Sequence, residues 1–199
     1  MSTRLVLASA SPRRRELLTS LGVDFTIAPA DLAEQPRTGE RINDYVVRLA
    51  SEKALAIAHR FPEAFVLGCD TEVELDGDIL GKPSGEEEAA AMLRRLAGRT
   101  HRVCTGVCLA RSAMVLESFA VESFVTFKNL DGATIRAYVS TGEPLDKAGA
   151  YGAQGQGRML IEHIEGSVTN VIGLPVEEVA RLLRRHGLLR AAVWPAVGE

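Results

Sequence analysis

The sequence predicts an α/β protein with a mixed, twisted β-sheet flanked by helices. Strand-like and helix-like segments alternate along the chain, and hairpin-like pairs of strands interrupt this alternation in its middle. Alternation with helices is typical of parallel sheets, whereas hairpins add antiparallel strands. The hairpins therefore disfavour a purely parallel, doubly wound fold. The length of 199 residues suits one domain, 1–199, or one domain with two lobes.

In the first half of the chain, apolar runs and helical spacing predict these elements in order: strand 4–8, helix 12–21, strand 25–27, loop 30–41, helix 43–60 and strand 65–71. Ser11 is a favourable N-cap and Pro12 suits the first helical position. Asn43 is the expected cap of the second helix. Asp76-Gly77, between two alternating apolar runs, predicts a tight hairpin turn.

The second half continues with helix 85–97, β-rich stretches 101–109 and 114–127, helix 131–140, a glycine-rich segment 142–157, strand 158–164, loop 166–174 and helix 175–187. Closely spaced glycines in 142–157 indicate unusual backbone angles or close approach to a ligand. The tail 188–199, which carries Trp194, is expected to be mobile or to pack on a partner.

Composition excludes several classes of function. A formal net charge of −3 argues against a broad basic surface for nucleic acid, while leaving room for a local basic pocket. No apolar run reaches about 18 residues, so no membrane span is expected. The absence of a signal-peptide pattern and the use of three cysteines favour the cytoplasm. Without a CxxC or HExxH motif, zinc or redox chemistry is not expected.

The turn from the first strand into the first helix is the strongest functional signal. Ser9 and Ser11 flank it, and Arg13, Arg14 and Arg15 crowd the first helical turn. Cations there oppose the helix dipole, at a cost of about 0.3–1 kcal/mol each. Hydroxyls, free backbone N–H groups and guanidinium groups together indicate a strongly anionic ligand, with phosphate as the first candidate. The alternative is a solvated basic turn.

Asp70 is the main candidate for catalysis because it ends an apolar strand. A carboxylate there is costly to desolvate unless it meets a cation, a metal ion or good donors. The alternative is a structural ion pair. Together with Glu34 in a polar loop, Asp70 offers oxygen ligands, which favour Mg²⁺ or Mn²⁺ and metal-assisted phosphate chemistry.

Two glycine motifs do not match known nucleotide fingerprints. Gly81-Lys82 is not a P-loop, because Asp76 and Pro83 occupy the positions that require glycine and serine or threonine. Lys82 can still serve as a point charge for phosphate. The glycines at 152–157 have the wrong spacing for a dinucleotide-binding turn.

Several blocks occur in a fixed order: Leu7-Ala8-Ser9-Ala10-Ser11-Pro12-Arg13-Arg14-Arg15-Glu16-Leu17-Leu18, Glu52-Lys53-Ala54, Gly68-Cys69-Asp70-Thr71, Leu80-Gly81-Lys82-Pro83, Asp146-Lys147-Ala148-Gly149-Ala150-Tyr151-Gly152, Gln154-Gly155 and Asn170-Val171-Ile172-Gly173-Leu174-Pro175. Across residues 4–187, these blocks resemble the Maf family of septum-formation-inhibitor-like nucleotide pyrophosphatases.

The resemblance implies an activity and an architecture. Family members hydrolyse nucleoside triphosphates at the α–β bond to the monophosphate and pyrophosphate, with a divalent cation. They share a two-lobed fold around a central cleft with the inosine-triphosphatase-like enzymes, and many are cytoplasmic homodimers. Asp70 matches the family's general base, and Arg13, Thr71 and Gln154 match the positions that separate its branches. Their combination resembles the branch acting on dTTP and UTP, and on modified versions of these nucleotides.

The chemistry of the matched residues agrees with these implied roles. Arg13, Arg14, Lys53 and Lys82 can share the triphosphate charge with the metal ion. Ser9 and Ser11 add hydrogen bonds, and Asp70 with Glu34 is expected to hold the metal. Gln154, with one donor group and one acceptor, can pair with the O4/N3 edge of uracil or thymine.

The chain departs from the family pattern at Cys69, at Glu72 and at Val168-Thr169. Glu72 stands where an apolar residue is usual, and it is expected either to join the metal site or to face solvent. Two alternative functions remain: a 7-methyl-GTP pyrophosphatase, and a regulator of cell division that binds a nucleotide or a protein without turnover.

Overall fold

The computed structural model describes residues 5–32 and 34–189 and contains a seven-stranded mixed sheet. Its strands are β1 (Leu5–Leu7), β2 (Thr26–Ile27), β3 (Phe65–Leu75), β4 (Asp78–Leu80), β5 (Thr100–Arg111), β6 (Met114–Phe127) and β7 (Ile161–Glu165). The spatial order is β2-β1-β3-β5-β6-β7, with β4 paired to β3. β1 runs parallel to β2 and β3, and the other pairs are antiparallel. The predicted mixed sheet is confirmed.

The helices are α1 (Pro12–Thr19), α2 (Ile42–Ala58), α3 (Glu86–Leu96), α4 (Gly132–Val139), α5 (Val168–Ile172) and α6 (Val176–Arg185). Short 3₁₀ helices cover Glu143–Asp146, Ala148–Ala150 and Gly155–Leu160. Within the described ranges, none of the helices combines the length and the apolar character needed to cross a membrane.

The core follows the two-residue period of the strands. Leu5 and Leu7 of β1 pack with α1 and α6 on one face of the sheet, whereas Val6 packs with α2 on the other. A separate cluster joins the far half of β3 to α3 and α4. The apolar core therefore has parts at both ends of β3, and the functional cleft opens beside the middle of this strand.

Two glycines let α2 lie directly on the sheet. A Cβ at Gly68 of β3 would come within 2.2 Å of the Ala50 carbonyl oxygen, and one at Gly106 of β5 within 2.1 Å of the Val46 carbonyl oxygen. Real side chains cannot approach so closely, so only glycine allows this contact. The close approach brings the residues of α2 against β3.

One edge of β3 has an unpaired stretch, and the cleft lies beside it. β1 pairs with residues 65–67 of this strand, and β4 pairs with residues 73–75. Between them, no described strand pairs with residues 68–72 on that side. Asp70, Thr71 and Glu72 lie in this interval, so their side chains and backbone border open space instead of a neighbouring strand.

One cap, one strand boundary and one loop predicted from the sequence were wrong. Arg41 is the N-cap residue of α2, and the side-chain amide of Asn43 instead donates to Glu122 of β6. Residues 158–160 belong to a 3₁₀ helix, so the strand begins at Ile161. The expected loop 166–174 contains α5, whose N-cap Ser167 accepts a hydrogen bond from Asn170 N.

The predicted hairpin turn at Asp76-Gly77 is confirmed. Asp76 and Gly77 both have positive φ, of 57° and 88°, as a tight hairpin requires. The tail predicted from residue 188 lies outside the described residues, apart from Leu188 and Leu189, which pack against the cluster containing Leu5 and Leu7.

Candidate active site

A cleft of about 440 Å³ lies between the start of α1, the unpaired stretch of β3 and the segment that follows α4. Both signs of charge line it. The cations come from Arg13, Arg14, Lys53, Lys82 and Lys147, and the carboxylates from Glu34, Asp70, Glu72 and Asp146. Such a mixed wall suits an anionic ligand that is accompanied by a cation.

The start of α1 presents donors to the cleft. Ser11 caps the helix, its Oγ accepting from Arg14 N at 3.4 Å. Oγ of Ser9 accepts from Ser11 N at 3.2 Å and from Nη1 of Arg14 at 3.3 Å. Because both hydroxyl oxygens act as acceptors here, each hydroxyl keeps its proton for an anionic ligand.

The two arginines that line the cleft are held differently. Nε of Arg14 donates to the Gly173 carbonyl at 2.9 Å, and Nη2 donates to Oγ1 of Thr71 at 3.0 Å. Arg13 instead makes a long ion pair of 3.8 Å with Asp146. Arg14 is therefore fixed in position by the protein, whereas Arg13 has more freedom to follow a ligand.

A directed chain of hydrogen bonds fixes Thr71. Thr105 donates its single hydroxyl proton to the Asn170 carbonyl at 3.0 Å. In the 2.9 Å contact between Thr71 and Thr105, Thr71 is therefore the donor. Thr105 and Asn170 are fully buried, so this chain ties Arg14 through Thr71 to the interior of the sheet.

Lys53 joins the two predicted metal ligands. Its Nζ lies 2.5 Å from Oδ1 of Asp70 and 2.5 Å from Oε1 of Glu34, and Oε2 of Glu34 lies 3.4 Å from Lys82. Partial burial opposes ionisation of Glu34, but the hydrogen bond and charge of Lys53, assisted by Lys82, hold its pKa below the ordinary value. Both carboxylates are therefore placed by the same ammonium group.

Among the residues that line the cleft, two carboxylate oxygens are buried without a hydrogen-bond partner in the described part of the chain: Oδ2 of Asp70 and Oε2 of Glu72. Burial, followed by the charges of Asp70 and Glu34, raises the pKa of Glu72 to about 8. Glu72 is only 7% exposed, so the alternative that it faces solvent was wrong.

Buried, free carboxylate oxygens beside a cleft that is also lined by cations fit a hard divalent cation. Residues 5–32 and 34–189 contain no ready-made group of three or more His, Cys, Asp or Glu side chains for a metal. Mg²⁺ commonly uses one or two carboxylates and completes its coordination with substrate phosphates and water. The donor set is therefore compatible with a metal that arrives with its substrate.

His101 lies behind one wall of the cleft, where burial favours its neutral form. Burial lowers its pKa to about 4, and its Nε2 lies 2.7 Å from the Tyr151 hydroxyl. The rings of His101, Phe127 and Tyr151 pack edge to face. Since Tyr151 lines the cleft, this aromatic cluster fixes one of its walls.

Comparison with known proteins identifies the family. The family model described as "Maf-like protein" matches residues 4–186. The chain belongs to the Maf family. The resemblance inferred from the sequence blocks is thereby confirmed.

Curated Maf relatives match almost the whole chain. A protein of Myxococcus xanthus named dTTP/UTP pyrophosphatase is 53% identical over 186 residues, covering 94% of this chain and 94% of the relative. A protein of the same name from Anaeromyxobacter dehalogenans (strain 2CP-C) is 51% identical over 190 residues, covering 94% and 96%.

A solved structure shares the fold of this chain. A HAM1 protein from Coxiella burnetii aligns with a TM-score of 0.52 and 15% identity, covering 91% of this chain and 98% of that chain. The predicted α/β fold class is confirmed.

In this Maf chain, nine of the ten predicted site residues line the cleft: Ser9, Ser11, Arg13, Arg14, Glu34, Lys53, Asp70, Thr71 and Lys82. Gln154 is exposed and does not line it, although Gly152 and Ala153 do. Its role in base recognition stays a prediction.

Sequence reasoning missed Lys147 as a candidate ligand of the substrate. This lysine lines the cleft, and its Nζ donates to the Glu143 carbonyl at 2.5 Å and to Asp146 at 2.6 Å. Its place in the block Asp146-Lys147-Ala148-Gly149 was the available signal. The sequence left open whether Glu72 joins the metal site or faces solvent, because alternation along a strand does not reveal whether one or both of its faces are covered.

Proposed function

We propose that this protein hydrolyses dTTP and UTP between the α and β phosphates, giving the nucleoside monophosphate and pyrophosphate. The observation that carries the proposal is the single cleft shared by the arginines of α1 and the carboxylate of Asp70. Two relatives, 53% and 51% identical over most of the chain, bear the name dTTP/UTP pyrophosphatase. The geometry and this similarity support the same reaction.

The start of α1 binds the triphosphate. Arg14, held by Gly173 and Thr71, offers its remaining guanidinium N–H groups in a fixed direction. Arg13 follows the ligand, and the hydroxyls of Ser9 and Ser11 donate to phosphate oxygens. Positive charge fixed before the reaction stabilises the negative charge that develops on the departing pyrophosphate.

Asp70 acts as the general base. Lys53 occupies Oδ1 and orients the carboxylate, which leaves Oδ2 to accept a proton from a water molecule. The water oxygen forms a bond to the α phosphorus as the bond from that phosphorus to the bridging oxygen breaks. The electron pair of the broken bond leaves with pyrophosphate.

A divalent cation, Mg²⁺ or Mn²⁺, is part of this proposal. Glu34 and Asp70 would hold it beside the phosphates, and when bound it supplies charge neutralisation and polarises water. Gln154, close in sequence to the cleft-lining Gly152 and Ala153, would read the pyrimidine edge.

The assembly and compartment belong to the same proposal. The resemblance to Maf proteins implies a cytoplasmic homodimer. Light scattering coupled to size-exclusion chromatography tests the assembly, with a mass of about twice 21.4 kDa expected. A monomer mass across the concentration range would contradict it.

A substrate panel tests the function. The purified protein is incubated with dTTP, UTP, CTP, GTP and 7-methyl-GTP, with Mg²⁺ or Mn²⁺ and with or without EDTA, and pyrophosphate is measured. We expect turnover of dTTP and UTP that EDTA abolishes. Preferential turnover of 7-methyl-GTP would contradict the substrate assignment, and tight nucleotide binding without any product would indicate a regulator.

A further inference from the structure

In the proposed function, Asp70 both accepts a proton and binds a cation, although only one of its carboxylate oxygens is free. Its Oδ1 contacts Lys53, so only Oδ2 remains to accept a proton or to bind a cation. Glu34 gives little relief, because its Oε1 contacts Lys53 and its Oε2 contacts Lys82. A further carboxylate oxygen would separate the two tasks.

Glu72 supplies such an oxygen. Residues 70 and 72 lie two apart on β3, so their side chains leave the same face of the strand. Glu72 lines the cleft, is buried, and has Oε2 without a partner within the described ranges. A Cβ at Gly81 would lie 4.0 Å from this oxygen, an ordinary contact, so the oxygen is not crowded from that side.

The resident lysines do not account for this carboxylate. Lys53 is engaged with Glu34 and Asp70, and Lys82 contacts Glu34 from the rim of the cleft. A buried carboxylate next to two others is unfavourable unless a cation is bound between them. A divalent ion would offset the repulsion, and phosphates would complete its coordination.

We propose that Glu72 binds the divalent cation of this cleft through Oε2, which leaves Oδ2 of Asp70 to accept the proton. This inference rests on the proposed function and adds to it a ligand particular to this chain. It moves the contact with the cation from Asp70, where the resemblance to the family places it, to Glu72, so that cation binding and proton transfer belong to different side chains of the same strand.

Direct measurement of Mn²⁺ binding tests the inference. Free Mn²⁺ is titrated by electron paramagnetic resonance against wild type, Glu72→Gln and Glu72→Val, with and without α,β-methylene dTTP. Glu74→Gln is the matched control, because Glu74 lies two residues further along β3, pairs with Arg102 at 2.7 Å and does not line the cleft. Circular dichroism verifies folding, and the apolar valine variant removes the buried oxygen altogether.

We expect both Glu72 variants to bind Mn²⁺ at least about ten-fold more weakly, since removing even a group that only supports a metal ligand typically has an effect of this size. At the same concentration, Mn²⁺ should raise the Tm of wild type and Glu74→Gln more than that of the Glu72 variants. Folded Glu72 variants that bind Mn²⁺ as tightly as wild type would overturn the inference.

Pyrophosphate release from dTTP and UTP, measured on the same samples, separates this inference from the proposed function. If the wild-type protein turns over dTTP and UTP but its Mn²⁺ affinity is unchanged in the Glu72 variants, the inference is refuted and the proposed function is not. Mn²⁺ binding that depends on Glu72, without wild-type turnover, would support the inference and refute the proposed function.

Discussion

At the scale of single residues, two cations organise the cleft by different means. Lys53 uses its charge to bring Glu34 and Asp70 to one point, with contacts of 2.5 Å. Arg14 is itself fixed by neutral acceptors, Gly173 and Thr71. The types of these residues could be predicted from the sequence, since phosphate and metal chemistry require them. Their pairing could not, because it depends on how α2 and α5 pack on the sheet.

The buried hydrogen-bond chain through Thr105 gives a prediction about Arg14. Thr105→Val removes the acceptor for Thr71 and the donor to Asn170, which should cost about 1–3 kcal/mol of stability. Loss of the support for Thr71 should also loosen Arg14 and raise the KM for dTTP more than it lowers kcat. Steady-state kinetics and urea unfolding measure the two effects.

Thr126→Val is the control for Thr105→Val, because its hydroxyl contacts Thr100 at an exposed position on the neighbouring strand. This variant should leave both KM and stability close to wild type. An unchanged KM in folded Thr105→Val would contradict the role of the chain in positioning Arg14.

Because His101 is buried, we expect the protein to lose stability in acid. Its pKa of about 4 in the fold lies below its ordinary value of 6.5 because of burial. As the pH falls from about 6.5 towards 4, the unfolded chain binds a proton that the folded protein does not, so the free energy of unfolding decreases. The expected loss from His101 is about 2 kcal/mol between about pH 7 and pH 5.

Urea unfolding at the two pH values, compared with His101→Gln, isolates this contribution. Glutamine can still hydrogen-bond to Tyr151 but does not titrate. The variant should therefore lose less stability on acidification than wild type does. An equal loss in both proteins would show that His101 is not held neutral.

At the scale of elements, α2 matters most because it carries Lys53 to β3. Its apolar spacing allowed the helix to be predicted within two residues at each end, but its N-cap was wrong because the cap of α2 forms no side-chain hydrogen bond. α5 escaped prediction, since five residues are too few for a helical period to be recognised. Its start is visible only as Ser167, three residues before Asn170.

The close contact of α2 with β3 predicts a strong effect of a single methyl group. In Gly68→Ala, the new Cβ would lie 2.2 Å from the Ala50 carbonyl oxygen, so the helix must move away. We expect a loss of about 1–3 kcal/mol in stability and a large drop in turnover, because Lys53 moves with the helix.

Gly132→Ala is the control for Gly68→Ala. Gly132 lies in the first turn of α4, and a Cβ there would meet only the flexible end of the Arg136 side chain. This substitution should be neutral or slightly stabilising. Gly68→Ala with wild-type stability and turnover would contradict the importance of this contact.

At the scale of the whole molecule, the cleft exists because β3 is longer than its neighbours on one side. β1 ends beside Leu67 and the antiparallel β4 ends beside Val73, so Asp70 and Glu72 border open space. The fold class could be predicted from the order of elements, and the meeting of Arg13 with Asp70 from the residues themselves. The place of Gln154 could not, because residues 142–160 follow irregular backbone with no repeating period.

The most direct test of the central claim is the fate of oxygen during hydrolysis of dTTP in ¹⁸O-labelled water. If the cleft directs water at the α phosphorus with Asp70 as base, the label appears in dTMP and the pyrophosphate is unlabelled. Asp70→Asn should lower this turnover by about 10²–10⁴-fold. Label in pyrophosphate, formation of dTDP with phosphate, or full turnover by Asp70→Asn would contradict the account.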